Sequence, residues 1–209
     1  MLPINKKIYL LAAALCTVAN MIGAKYDTRI DGIYYTLQAE GKATVVSGDE
    51  KYSGTVTIPE VIECAAGEYT VTSIAPRAFS GCKEVKEIIY GSSITMIGAH
   101  AFHGCEGISQ FTILANITFI DHSAFENTGL TEIIIPQSIA NIGNGVWKGC
   151  KALRCAVIEN KTIGEEQFAN CVSMASVTIS DNVTSIQRKA FSRCVELTEV
   201  TIPANATKI

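Results

Sequence analysis

The hydrophobic positions of this chain repeat. An Ile, then five residues on a Phe or Trp, recurs as Ile74 with Phe79, Ile97 with Phe102, Ile120 with Phe125, Ile142 with Trp147, Ile163 with Phe168 and Ile186 with Phe191, in steps of 21 to 23 residues. Ile209 begins the next step. A unit of that length is one coil of a solenoid: it cannot bury its apolar edge alone, so the coils must stack. Three residues after each aromatic stands Cys82, Cys105, Cys150, Cys171 or Cys194, with Thr128 in the remaining coil. Each coil then opens a strand whose inward residues fall three, six and eight positions after the Cys, as in Ile108, Phe111 and Ile113, or Leu197, Val200 and Ile202. Strand side chains alternate between faces, so the residues between must face solvent. This gives an outward column of Glu87 and Ile89, Gln110 and Thr112, Glu132 and Ile134, Cys155 and Val157, Ser176 and Thr178, and Glu199 and Thr201. One parallel sheet is expected on this limb. On the other limb Gly98, Gly143 and Gly164 suit a tight turn, followed by a short helical or 3-10 turn around the Ala-Phe pair.

Residues 25–54 follow a different pattern. Ile33, Tyr35 and Leu37 alternate with Tyr34 and Thr36, and Ala43 to Val46 and Thr55 to Ile58 are further short β patterns between turn-rich stretches. They predict an N-terminal β-hairpin cap over 25–54, which covers the end a first coil would otherwise expose. Residues 55–209 then form a solenoid of about six coils, with an insertion at Cys64 to Val71 and an end in mid-repeat. An unclosed last coil predicts self-association through that end, or a longer array. Residues 1–24 read as an export signal, with Lys6 and Lys7 before the apolar run Ile8 to Ala19; cleavage falls after Ala24, or after Ala19 on the small-x-small rule. The run predicts no membrane span in the mature chain, and a secreted or surface-located protein.

Composition sharpens this picture. With 48% hydrophobic and 18% charged residues in 209, the chain supports a sizeable core, and its net charge of −3 makes nucleic acid a poor partner. Loss of the signal removes two Lys and no acid, and makes the balance more negative. Export would ordinarily imply disulfides, but the Cys ladder sits where small buried apolar residues are wanted, so reduced thiols are expected; Cys64 and Cys155 lie off it. His100, His103 and His122 are brought together by the repeat and are candidate metal ligands. No carboxylate spacing accompanies them, and His103 takes a slot filled elsewhere by Ser80, Glu126, Lys148 and Ser192. Asn116, Asn160, Asn182 and Asn205 match the glycosylation acceptor pattern, yet their repeated position suits closure of the turn after each strand. No nucleophile elbow, phosphate loop or zinc-protease helix occurs, so no cofactor and no enzyme activity are expected.

Segments such as LTEVTIPANATKI, VTSIQRKAFSRC and LTEIIIPQSIANIG resemble the repeats of the BspA-like leucine-rich-repeat family, and DGIYYTL resembles the N-terminal cap of its bacterial members. The resemblance covers about residues 25–209. It implies a mostly β, right-handed leucine-rich-repeat solenoid that is secreted or held at a cell surface and binds a protein or glycan on a host or neighbouring cell, without a catalytic motif. Trp147 for Phe, Val146 and Gln167 for Ala, Thr128 for Cys and Ala156 at an inward strand position depart from the pattern. Two alternatives stand beside the adhesive reading: a metal-dependent enzyme or metal site at the three His, and a purely structural envelope protein.

Overall fold

The computed structural model describes residues 25–209, so the expected export signal lies outside the described residues. The described chain is mostly β and nearly without helix, its one 3-10 turn being Ala39–Gly41. Strands β1 (Thr28–Ile30), β2 (Ile33–Gln38) and β3 (Lys42–Val46) form an antiparallel meander, and β4 (Gly54–Ile58) follows. The expected insertion is a hairpin, β5 (Val61–Cys64) against β6 (Gly67–Ile74). The coils then supply two series. On the outward limb lie β7 (Val85–Tyr90), β10 (Glu132–Ile135), β12 (Cys155–Ile158) and β14 (Ser176–Ile179). At the Ile rungs lie the two-residue strands β8 (Met96–Ile97), β9 (Phe119–Ile120), β11 (Asn141–Ile142), β13 (Thr162–Ile163) and β15 (Ser185–Ile186).

All coil-to-coil pairing is parallel, but it is not the single sheet the spacing predicts. The outward limb breaks into a β4–β7 ladder and a β10–β12–β14 ladder, while the Ile rungs add a ladder running from β3 through β6, β8, β9 and β11, and a β13–β15 pair. The first break falls at residues 109–114, which join neither neighbour as a strand. Its cause is local: the inward slot held by Ile88, Ile133 and Ala156 in other coils carries Phe111, whose ring lies 4.7 Å from Phe125, 5.2 Å from Phe102 and 5.5 Å from Tyr90. The Tyr90 hydroxyl donates to the Thr112 carbonyl at 2.8 Å and accepts from Leu114 N–H at 3.3 Å, in place of part of the backbone ladder.

The core is an aromatic spine. Phe79, Phe102, Phe125, Trp147, Phe168 and Phe191 stack with centroids 5.0 to 6.1 Å apart. It continues through Tyr52, 4.5 Å from Phe79, and Tyr34, 6.0 Å from Tyr52. The sequence reading missed Tyr52 as a rung, although Tyr52-Ser-Gly mirrors Phe79-Ser-Gly. Of the inward residues of the last coil, Leu197 and Val200 are half-buried and Ile202 is 42% exposed, because no described coil lies over them.

The turn limb also differs from expectation. Around each aromatic the chain makes neither α nor 3-10 helix. Ala78, Ser80 and Cys82 donate back three residues within their own coil, while Arg77, Phe79 and Gly81 donate to Ala99, Ala101 and His103 of the next. That alternation needs left-handed residues two before and two after each aromatic: Arg77, His100, Ser123, Gly145, Glu166 and Lys189 before, and Gly81, Gly104, Asn127, Gly149, Asn170 and Arg193 after, all with φ between 52° and 71°. Gly98, Gly143 and Gly164 are not among them. A Cβ on Gly143 would stand 2.2 Å from His122 N and one on Gly98 2.6 Å from Pro76 N, so these glycines permit close coil-to-coil approach.

The five ladder cysteines are buried and free, as expected from their slot. The thiols of Cys105, Cys150 and Cys171 donate at 3.1 Å, and that of Cys194 at 3.2 Å, to the carbonyl of the preceding coil's aromatic. Burial pushes the Cys150 thiol up to about 11 and Cys105 to about 12. The Asn residues do more than close their own turns: Asn116 reaches the Ile94 carbonyl, Asn182 that of Glu159 and Asn205 that of Asp181, each one coil back. Asn160 is the exception, donating to Thr162 within its own coil and 2% exposed.

Candidate binding surface

Register turns the outward limb into rows along the stack. Thr55 pairs with Glu87, Glu132 with Cys155, and Cys155 with Ser176; one pleat on, Thr57 pairs with Ile89, Ile134 with Val157, and Val157 with Thr178. Gln110 and Thr112 occupy the intervening coil, and Glu199 and Thr201 the last. Neighbouring rows are therefore unlike: one carries the carboxylates Glu87, Glu132 and Glu199, and the other is uncharged and β-branched, with Ile89 47% and Ile134 60% exposed. Two residues depart from the outward expectation. Val157 and Cys155 are half-buried, since they sit on the central strand of the β10–β12–β14 ladder with neighbours on both sides.

The carboxylates of this face are unneutralised. Glu132 and Glu199 enter no ion pair or side-chain hydrogen bond among the described residues, and Glu87 only accepts from Thr55 Oγ1 at 3.4 Å. On the turn limb, by contrast, acids are paired between coils: Lys83 with Glu106 at 2.8 Å, Lys148 with Glu166 at 2.6 Å, and Arg188 with Glu165. Lys86 and Arg154 stand exposed just before Glu87 and Cys155 in the chain.

The ladder break opens a groove of about 540 Å³ in this face, lined by Glu87, Ile89, Tyr90, Gln110, Phe111 and Thr112 among others. Four of those are residues the alternation selects; the groove itself was invisible in it, because it arises from the volume of Phe111 and the reach of Tyr90. A second hollow of about 560 Å³ lies beside β4, where Arg29 pairs with Glu50 at 2.8 Å and lies 4.9 Å over the Tyr34 ring. Sequence reasoning did not single these out, since none lies in the repeat.

The repeat does bring the three histidines together, on the turn limb. The His100 ring lies 5.7 Å from His103 and 5.0 Å from His122, and His122 Nδ1 is 2.8 Å from Asp121 Oδ1. His100 Nδ1 is buried without a partner. Burial, then the Arg77 charge and the other two imidazoles, hold the His100 pKa below its ordinary value, with Glu126 opposing. Among the described residues no group of three His, Cys, Asp or Glu is arranged to hold a metal ion, and no helix is long and apolar enough to cross a membrane.

Residues 64–174 and 161–209 match the BspA type leucine-rich repeat region, in six copies. The chain belongs to this family. A leucine-rich repeat protein from Bacteroides ovatus is 26% identical with a TM-score of 0.68, over 86% of this chain and 54% of its own. A leucine rich cell surface protein from Faecalibacterium prausnitzii is also 26% identical, with a TM-score of 0.71 over 86% of this chain and 49% of its own. This BspA-type chain thus spans about half the length of both. The leucine-rich repeat protein of T. pallidum, 21% identical with a TM-score of 0.61 over 80% of this chain and 88% of its own, shares the fold. No curated protein matches the sequence.

Proposed function

We propose that this BspA-type chain is a non-enzymatic, exported interaction protein that binds a protein on a host or neighbouring cell through its outward strand face. The observation carrying this reading is that face itself: register-aligned rows on hydrogen-bonded coils, with unpaired carboxylates beside large exposed apolar residues. Rigid rows lose little freedom on association, and exposed apolar side chains beside polar ones suit a protein interface more than a pocketed small molecule. Residues 25–54 serve as the N-terminal cap in this reading, supported by the antiparallel meander whose β3 starts the Ile-rung ladder. The coils are taken as one right-handed stack. Export rests on the sequence of residues 1–24, and a surface location also on the likeness to the F. prausnitzii cell surface protein. A glycan partner is the weaker variant, because Tyr90 and Phe111 turn their rings into the core rather than offering them as stacking platforms.

The test is a host-matrix protein and glycan array probed with wild type and a Glu87→Ala, Gln110→Ala, Glu132→Ala variant. Wild type should capture protein targets and the variant lose them with an unchanged melting temperature. Retention of every interaction by a folded variant defeats the strand face as the site.

At the last described coil, Val195 is 71%, Ile202 42% and Ile209 84% exposed. This apolar surface supports self-association through that coil as part of the same proposal.

A further inference from the structure

The meander of residues 25–54 closes one limb of the stack and leaves the other open. On the Ile-rung limb β3 pairs in parallel with β6, so that edge is covered. On the outward limb β4 pairs with β7 alone, and among the described residues no backbone hydrogen bond reaches its other edge. Such an edge presents a row of unpaired N–H and C=O groups, which folded chains usually blunt with charge, proline or a bulge. Thr55-Val-Thr-Ile carries no charge; its bulge falls before it, between Gly54 and Thr55, and Pro59 comes only after it. The hollow of about 560 Å³ runs along this edge rather than over a face of the sheet, because it is lined by the inward Val56 and the outward Thr55 and Thr57 alike and by no residue of β7. Its far wall is the β1–β2 hairpin, closed by Asp31 and Gly32 at φ 49° and 83° as a two-residue turn. That wall is anchored: Tyr34 N–H donates to the Tyr52 hydroxyl at 3.1 Å, and Tyr52 donates to the Val46 carbonyl at 2.6 Å. An open edge can add strand after strand, whereas an edge facing a fixed wall accepts one.

We infer that this channel receives one extended segment of a protein partner, which pairs with the free edge of β4 and lengthens the outward sheet by a strand. The walls specify the chemistry of the occupant. A row of backbone donors and acceptors selects an extended peptide, whose own backbone groups are free, over a helix, whose groups are already bonded within it. Val56 is 6% exposed and lies beside Tyr34 and Tyr52, so alternate side chains of the segment meet apolar surface. Charge selects little: Arg29 is paired with Glu50, Lys51 donates to the Ser80 carbonyl at 2.5 Å, and Asp31 on the turn is the remaining acid. The site goes beyond the outward face proposed above, since it uses the edge of the sheet and not its exposed rows.

The test uses a fluorescein-labelled peptide copying Thr131 to Ser138, TEIIIPQS, because β10 lies against β12 as the occupant would lie against β4. In fluorescence anisotropy with the full chain it should bind saturably. A strand bonds to one neighbour through alternate residues. Backbone N-methylation at the positions of Ile133 and Ile135, or at those of Glu132 and Ile134, should therefore weaken one peptide by about tenfold or more and leave the other near the parent. Amide hydrogen exchange should slow within Thr55 to Ile58 on adding the peptide, and not within Glu132 to Ile135. The Glu87→Ala, Gln110→Ala, Glu132→Ala variant should bind the peptide as wild type does, which keeps this test separate from the array. No binding, an equal response to both N-methylations, or protection outside β4 overturns the proposal. Loss of binding in the alanine variant moves the peptide to the outward face and overturns it too. Concentration-dependent protection of Thr55 to Ile58 in the chain alone makes a second copy the occupant, and the partner segment falls with it.

Discussion

At the residue scale, position in the repeat decides what a side chain contributes. Phe102 is fully buried between Phe79 and Phe125, whereas Thr112 stands exposed one coil segment later. Phe102→Ala should cost about 3–5 kcal/mol, as truncation of a packed aromatic, and Thr112→Ala within about 0.5 kcal/mol of zero. Urea unfolding of both variants checks the contrast, and comparable losses would contradict the assigned faces. His100 supplies a pH effect. Its folded pKa lies below the ordinary histidine value, mainly through burial, so the unfolded chain takes up the proton first. Its contribution is complete above about pH 6.5, and stability is lost as pH falls from there through the folded pKa. Arg77, His122 and His103 face the same ring and act with burial to disfavour its charged form, while Glu126 opposes them. His100→Asn keeps a side chain tolerant of φ 54° and should flatten the loss of melting temperature between about pH 7 and 5 relative to wild type. Parallel pH profiles for both proteins would rule this contribution out.

At the element scale, the two limbs are built by different rules. The outward limb uses ordinary parallel strands and tolerates a break where Phe111 and Tyr90 intervene. The turn limb alternates bonds within a coil and between coils, and it depends on left-handed residues that are often not glycine. The glycines after the Ile rungs serve backbone contact instead. Gly143→Ala would place a Cβ 2.2 Å from His122 N, so the neighbouring coil must move, at a cost of about 1–3 kcal/mol. Thermal unfolding checks this, and a variant as stable as wild type would show that the coils separate freely. Two departures from the repeat bury polar atoms without a partner: Trp147 Nε1 and both polar atoms of Gln167. The repeat supplies Phe and Ala in those slots, and no matching acceptor or donor exists for the substitutes.

At the scale of the whole molecule, stacking distributes stability over coil-to-coil contacts, and the last described coil has such contacts on one side. Sedimentation velocity should show concentration-dependent association that Ile202→Lys reduces, because a charge at that apolar surface opposes burial. A monomer of unchanged size for both proteins across the micromolar range would speak against contact through that coil.

The spacing of Ile, aromatic and Cys by itself determined the coil and its inward and outward residues, because a stack of near-identical units repeats its burial pattern in the order of the chain. Thus Phe79 to Phe168 are spine and Glu87, Gln110, Glu132 and Ser176 are exposed, as the alternation predicts. What only the tertiary structure decided is what depends on volume and distance between coils. Phe111 is as apolar as Ile88, and nothing in a pattern of apolar and polar letters shows that its ring, with the Tyr90 hydroxyl, opens a groove. Nor does periodicity show that Gly143 faces the backbone of the coil before it, or that Val157 is shielded by neighbours on both sides while Ile134 is not. A period specifies the direction in which a side chain points; how closely the next coil approaches is set by the packing of all the side chains between.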